Sequence, residues 1–390
     1  MMTRFIHTAD WQLGKPFAGV EDDDKRASLR EERLAVLRRI GERARAHQAE
    51  FVVVAGDLFD SPSATLSVVS AACRAIGAMQ IPVFAIPGNH DHGGPGSLWD
   101  QDFFRREREQ LAPNLTVLLT PEPVELETAV LFPCPLLRRR ESGDPTAWLR
   151  SMTGLDTRYG NKPRIVLAHG SVHGFGALPD DEESNAGITN YLDLSRFDEQ
   201  PFDYVALGDW HGTKPISAKA WYAGTPELDR FVKGEDHDPG NILAVEAGRG
   251  QNPEVQRLKT AAIGWHELGF HFTGDPGVGL LEARVDDTIG NWADRHLLWL
   301  HLSGALGFDA ANRLEQLLES WKARLLRLKL DNQTTLAPSA AELDDLARRP
   351  GDPLISRVAA RLIEDLEDPG ETGAIARAAL RELHAACNRP

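Results

Sequence analysis

FVVVAGDLFD, residues 51 to 60, carries five apolar residues straight into Asp57 and Asp60, two carboxylates three positions apart. A run this short and this apolar predicts a strand buried on both faces of a sheet. Charges at its C-terminal end have no place in an apolar interior, so something there must offset them. Further apolar runs occupy residues 4–9, 82–86, 130–133, 164–168, 204–207, 221–223 and 242–246. Between 4–9 and 51–55 lies RASLREERLAVLRRIGERARAHQ, with Leu34, Leu37, Ile40 and Ala44 on one helical face. Before 82–86, Leu66, Val69, Cys73 and Ile76 recur at helical spacing. Strand, helix, strand, helix, strand is the opening of an α/β sheet.

At 390 residues and 42% hydrophobic content the chain can bury a large core and is expected to divide into domains. No run approaches the roughly 18 apolar residues of a membrane helix, and MMTRFIHTAD lacks the apolar stretch of a secretory signal. A cytoplasmic protein with no membrane partner is expected. Cys73, Cys134 and Cys387 form no C-x-x-C pair and are expected to be reduced. A formal net charge of −15 argues against nonspecific affinity for nucleic acid over the whole surface, so any DNA contact has to be local. Arg105, Arg106 and Arg108, Arg138, Arg139 and Arg140, and Lys162 with Arg164 are candidate basic patches. The acidic runs at 21–24 and 180–183 read as solvated loops.

The pattern changes after residue 265. WHELGFHF and LLWLHLS alternate like strands, and ANRLEQLLESWKARL, DPLISRVAARLIEDL and GAIARAALRELHAAC have helical period. We therefore expect a first domain at 1–265, a smaller α+β domain at 266–338 and a C-terminal helical segment at 339–390. His266 and Glu267 with His271 have one residue too many for H-E-x-x-H and are expected in the core of a strand. There is no G-x-x-x-x-G-K-[ST] for ATP hydrolysis, and HGSVHG lacks the spacing of a serine nucleophile.

Five polar signatures each follow an apolar run: TADWQ with Asp10 and Gln12, GDLFD with Asp57 and Asp60, GNHD with Asn89, His90 and Asp91, AHG with His169, and GDWHG with Asp209 and His211. C-terminal ends of parallel strands converge on one crevice, so these groups are expected to meet. Clustered carboxylates repel one another unless cations sit among them, and the donor count suits two divalent ions.

In this order the signatures resemble the calcineurin-like metallophosphoesterases over roughly residues 4–230, and HTADWQLGKPF, VVAGDLFDS and DYVALGDWHG with WYAGTPE resemble the SbcD and Mre type of DNA repair exonuclease within them. The resemblance implies an αββα sandwich with a smaller capping domain. It implies Asp10 and His211 on one ion, Asp57 bridging both, and Asn89 and His169 on the other. His90 would approach the phosphate, Asp91 would orient His90, and Asp60 would support the site through a hydrogen bond. It further implies DNA as substrate, an SMC-like coiled-coil ATPase of SbcC type as partner, and a homodimer.

Two positions depart from the family pattern. Gln12 stands where His is usual, and Asp209 stands where the first His of G-H-x-H is usual. Both exchange nitrogen for oxygen, which favours Mn²⁺, with Mg²⁺ as the other candidate, and leaves the first ion more weakly held. His7, His92 and His173 neighbour the motifs and are read as supporting or surface groups. Trp11 and Trp210 are read as packing. Two further readings stay open: a phosphoesterase for a small nucleotide, and a partner-binding protein whose metal site is regulatory. Leu354, Val358 and Leu362, with Ile375, Leu380 and Leu383, form apolar stripes that fit either the ATPase partner or the capping domain.

Overall fold

The apolar runs that end in polar signatures are strands of two six-stranded sheets. The computed structural model describes residues 1–172, 189–195, 201–232, 234, 237–349 and 351–387. His173 and the acidic run at 180–183 lie outside the described residues. Two compact units make up the chain, Met1–Ile263 and Gly264–Pro390.

In chain order the strands of the first unit are β1 (Met2–Thr8), β2 (Phe51–Ala55), β3 (Val83–Ile86), β4 (Leu115–Val117), β5 (Val124–Glu125), β6 (Val130–Cys134) and β7 (Arg164–His169). They continue with β8 (Ser171–Val172), β9 (Tyr191–Leu192), β10 (Tyr204–Gly208), β11 (Lys214–Pro215), β12 (Ala220–Tyr222), β13 (Asn241–Gly248) and β14 (Glu254–Lys259). Its helices are α1 (Asp23–Ala46), α2 (Leu66–Gly77), α3 (Asp102–Leu111) and α4 (Leu155–Tyr159). One sheet has the order β14-β13-β1-β2-β3-β4 and the other β11-β12-β10-β7-β6-β5. Neighbours from β1 to β4 run parallel, as do β6, β7, β10 and β12.

Side-chain alternation assigns the layers. On β2, Val52 and Val54 join the core under α1 and α2, while Phe51, Val53 and Ala55 join the core between the sheets. On β7, Ile165 and Leu167 enter that central core and Val166 and Ala168 the outer one, beside Leu155 and Tyr159 of α4. The result is an αββα sandwich whose strands, buried on both faces, had to be continuous apolar runs. Asp22 caps α1 by accepting from the amides of Asp24 and Lys25, and Leu37, Ile40 and Ala44 pack inward as their spacing requires. Thr65 caps α2. Val69, Cys73 and Ile76 are buried, but Leu66, in the first turn, is exposed.

The second unit holds β15 (Gly264–Phe272), α5 (Gly277–Ile289), β16 (His296–Leu306), α6 (Phe308–Arg324), β17 (Arg327–Leu336), α7 (Ala340–Ala347), α8 (Pro353–Glu364) and α9 (Glu371–Cys387). Both strand pairs are parallel, so each link crosses over through a helix. Leu298, Leu300 and Leu302 of β16 face Val278, Leu281 and Val285 of α5 and Leu314 and Trp321 of α6. The alternate face of β15 and β16 is open. His271 is on that face, exposed beside Ser303, whereas His266 shares the covered face with Leu268 and Phe270 and is half-buried against His296 at the start of the strand, neither one a core residue. In the terminal helices Ala359 and Leu380 are buried with Phe308 and Leu346, and Leu362 and Leu383 pack on them. Leu354, Val358 and Ile375 are exposed. Among the described residues no helix is long and apolar enough to cross a membrane.

Candidate metal centre

Asp10, Asp57, Asn89 and Asp209 sit just past the C-terminal ends of β1, β2, β3 and β10, and His169 is the last residue of β7. Parallel strands bring these ends to one rim, where ligand atoms of Asp10, Asp57 and His169 lie within 4.8 Å of one another, all three residues buried. The two sheets are joined at this rim by His169 Nδ1, 2.8 Å from the Ala55 carbonyl. That bond makes Nδ1 a donor and turns Nε2 into the cluster. Nε2 lies 2.8 Å from Asn89 Oδ1, 3.6 Å from Asp57 Oδ2 and 3.8 Å from Asp209 Oδ1.

Close approach explains the glycines. A Cβ on Gly56, whose φ is +97°, would lie 2.1 Å from His169 Nδ1, and one on Gly88 would lie 2.1 Å from Asp57 Oδ1. Asp10, Gln12, Asp57 and Asp209 also hold positive φ, at 53°, 43°, 56° and 101°. Non-glycine residues pay for such angles in strain, and clusters of them mark sites that need a fixed donor direction.

The electrostatics show a cradle short of positive charge. Burial, with Asp57 and Asp209 nearby, raises the Asp10 pKa to about 6 despite the opposing pull of His211 and His169. Burial disfavours the His169 imidazolium, yet Asp57, Asp10 and Asp209 raise its pKa to about 9. Buried carboxylates that raise each other's pKa and that of an imidazole are a donor set that fits divalent cations.

His211 and Gln12 form the other end. His211 Nδ1 is 3.1 Å from Asp229 Oδ2, and His211 Nε2 is 3.3 Å from Gln12 Nε2. Lys15 Nζ donates to Gln12 Oε1 at 2.7 Å and lies 3.1 Å from Asp229 Oδ2. Burial opposes the charge on Asp229, but His211, Lys15 and Arg230 hold its carboxyl well below the usual range. Arg33, buried on the inner face of α1, donates to the carbonyls of Asp10, Gln12 and Glu227 and to the Thr225 hydroxyl. It thereby fastens the first motif to the 225–227 segment. Lys15, Arg33 and Asp229 were not foreseen. The one signal for Arg33 is its place on an otherwise apolar stripe between Leu29 and Leu37.

His90 is half-buried at the rim. Its Nδ1 lies 2.8 Å from the Asp60 carbonyl, which orients the ring and turns Nε2 the other way, while its amide donates to Asp57 Oδ1. Asp91 does not orient His90. Its carboxylate accepts from the amides of Gly88 and Phe59, closing the turn on itself, and burial raises its pKa to about 7. The Asp60 carboxylate is 3.5 Å from Lys15. His7 is a core residue, 2.9 Å from the Tyr204 hydroxyl and pushed down to a pKa of about 3 by burial. His92 is half-buried. Trp11 is buried and donates to Thr8, and Trp210 meets the His237 ring edge-on. Of the basic patches, Arg164 is buried on Asp156, Lys162 is paired with Glu125, and Arg105 with Asp100 and Asp102.

The family model for calcineurin-like phosphoesterases matches residues 3–238. The SbcD component of the nuclease SbcCD from Staphylococcus epidermidis is 25% identical over 232 residues, covering 53% of this chain and 56% of the relative. The chain thus spans about half the length of that curated relative. A crystal structure of a dimetal phosphatase from Danio rerio is 15% identical, covering 66% of this chain and 99% of its own, with a TM-score of 0.35.

Proposed function

The chain belongs to the calcineurin-like phosphoesterase family, and we propose that it is a two-metal DNA nuclease of the SbcD type, an exonuclease that prefers Mn²⁺ to Mg²⁺. The observation that carries the phosphodiesterase reading is the meeting of Asp10, Asp57 and His169 within 4.8 Å at a buried rim. The nuclease relative supports DNA as the substrate.

In this reading Asp10, Gln12 and His211 would hold one ion and Asn89, His169 and Asp209 the other, with Asp57 available to both. When bound, the ions supply a water of lowered pKa and charge that stabilises the phosphate oxygens. The chain does the rest. The His169 and His211 rings are fixed through Nδ1 by Ala55 and Asp229, so each presents Nε2. His90, steered by the Asp60 carbonyl, offers Nε2 to the phosphate or to the departing oxygen. Asp91 holds the Gly88 turn that carries Asn89 and His90. Segment 266–338 is assigned a capping role. Exposed Leu354, Val358 and Ile375 on the terminal helices support docking of an SbcC-type ATPase. The homodimer and the cytoplasmic setting belong to the same proposal.

The net charge of −15 and the pairing of Lys162 and Arg164 favour one alternative, hydrolysis of a small nucleotide phosphoester. End-labelled duplex and single-stranded DNA are incubated beside a cyclic nucleotide with Mn²⁺, Mg²⁺ or EDTA. DNA degradation that needs Mn²⁺ and disappears in Asp57→Asn is expected. Turnover of the nucleotide alone would move the assignment to the alternative, and activity undiminished in Asp57→Asn would end both.

A further inference from the structure

The two ends of the cluster are furnished differently. Around His169 the donors other than its own ring that face the acidic groups are neutral: the His90 amide reaches Asp57 at 3.0 Å and the Ser171 hydroxyl reaches Asp209 at 2.9 Å. At the His211 end the polar groups close a ring of their own. Lys15 donates to Gln12 Oε1, the Gln12 amide nitrogen faces His211 Nε2, His211 Nδ1 faces Asp229, and Asp229 returns to Lys15.

The tautomers agree around this ring. The Gln12 amide nitrogen can only donate, so at 3.3 Å it meets His211 Nε2 as an acceptor, and the ring proton lies on Nδ1, 3.1 Å from Asp229 Oδ2 and 3.5 Å from Arg230. Gln12 Oε1, through one of its two lone pairs, and His211 Nε2, through its only one, are therefore already engaged. The ammonium also lies 3.5 Å from Asp60 Oδ1, so it already has three acidic or carbonyl partners. A histidine at position 12 would give Lys15 no carbonyl to hold; the glutamine does.

Resting on the metal-centre reading above, we propose that Lys15 is a built-in counter-ion that makes the two ion positions unequal. The position at Asp57, Asn89, His169 and Asp209 loads first. The position at Asp10, Gln12 and His211 fills only when the ammonium swings away on its flexible stem, and the Gln12 amide turns to free its oxygen and His211 Nε2. Lys15 is thus a positioning residue that sets metal occupancy.

The test titrates Mn²⁺ into the full chain, stripped of metal by chelation and dialysis, and follows free Mn²⁺ by its paramagnetic resonance signal. Wild-type protein is expected to bind in two steps whose dissociation constants differ by about tenfold or more, the range over which partners of metal ligands act. Lys15→Met is expected to tighten the weak step by about tenfold or more and to leave the tight step unchanged. Lys15→Gln, which keeps a polar end without charge, is expected to do the same and stands in if the first variant is unstable. Two equal steps in wild-type protein, or a weak step unchanged or weakened in both variants, would overturn this inference and leave the metal centre standing. No Mn²⁺ bound by wild-type protein would overturn the metal centre as well.

Discussion

Arg33→Met tests whether the first motif is held from behind. The guanidinium lies 3.1 Å from the Asp10 carbonyl, 3.3 Å from that of Gln12, 3.0 Å from that of Glu227 and 3.1 Å from Thr225 Oγ1. A bond to a charged donor contributes roughly 1.5–3 kcal/mol, which for three carbonyls is roughly 4.5–9 kcal/mol gross. Against this stands the cost of a buried cation. Burial lowers the pKa of Arg33, and Asp229, Glu227, Asp60 and Asp10 restore only part of it. Methionine fills most of the volume and removes that cost, which we take to cancel about half of the gross loss. The net expectation is about 3 kcal/mol of destabilisation. At ~2–4 °C per kcal/mol for a unit of this size, the calorimetric midpoint should fall by about 6–12 °C. The melt is run in EDTA, so that metal binding does not contribute. A midpoint within about 2 °C of wild type would refute the clamp, because it would mean the three carbonyls find other donors when the arginine is gone.

His90→Gln should cut the rate on DNA by about a hundredfold or more while Mn²⁺ binding is unchanged, since the ring is steered by the Asp60 carbonyl and reaches the cluster only through its own amide; lost binding would make His90 a ligand. Metal-free stability should fall as pH rises from 7 to 9, above the range in which buried His7, pushed down to about 3, adds stability with rising pH. Burial raises Asp10 to about 6 and Asp91 to about 7, and His169, opposed by burial, is lifted to about 9 by Asp57, Asp10 and Asp209. All three folded values exceed the unfolded ones, so the stabilisation is full in acid and is lost as pH climbs through each folded value. Saturating Mn²⁺ should flatten or invert that slope, because protons then compete with the ion. A midpoint in EDTA that is level or rises between pH 7 and 9 would contradict the charge pattern of the cradle.

The strands of the first unit could be read in advance because burial on both faces demands uninterrupted apolar runs, and because each run stops at a polar signature. The strands of the second unit are covered on one face only and carry a weaker signal. Alternation in WHELGFHF shows a half-covered strand, but its period of two is the same in parallel and antiparallel sheets. β17, RLKLDNQTTL, is an edge strand with most of its middle exposed, so it carries no apolar run at all. In α5, Gly277 and Gly279 break the helical pattern at its start. At the rim, residues inside motifs could be named from spacing, whereas Lys15, Arg33 and Asp229 act across separations of up to 214 positions and show only when the chain is folded. Asp91 illustrates the competition within a motif. Beside His90 in sequence, it is nearer in space to the amide of Gly88 at 2.8 Å, and a buried carboxylate takes the main-chain donor.

Four residues that face the cluster, Asp10, Gln12, Asp57 and Asp209, sit at backbone angles that glycine or asparagine would occupy with less tension. A selection for heat resistance alone would therefore push these codons toward residues that relax the chain and discard a ligand in the same step. Durability and turnover are written at shared positions in this molecule, and a laboratory that improves the first there will be eroding the second.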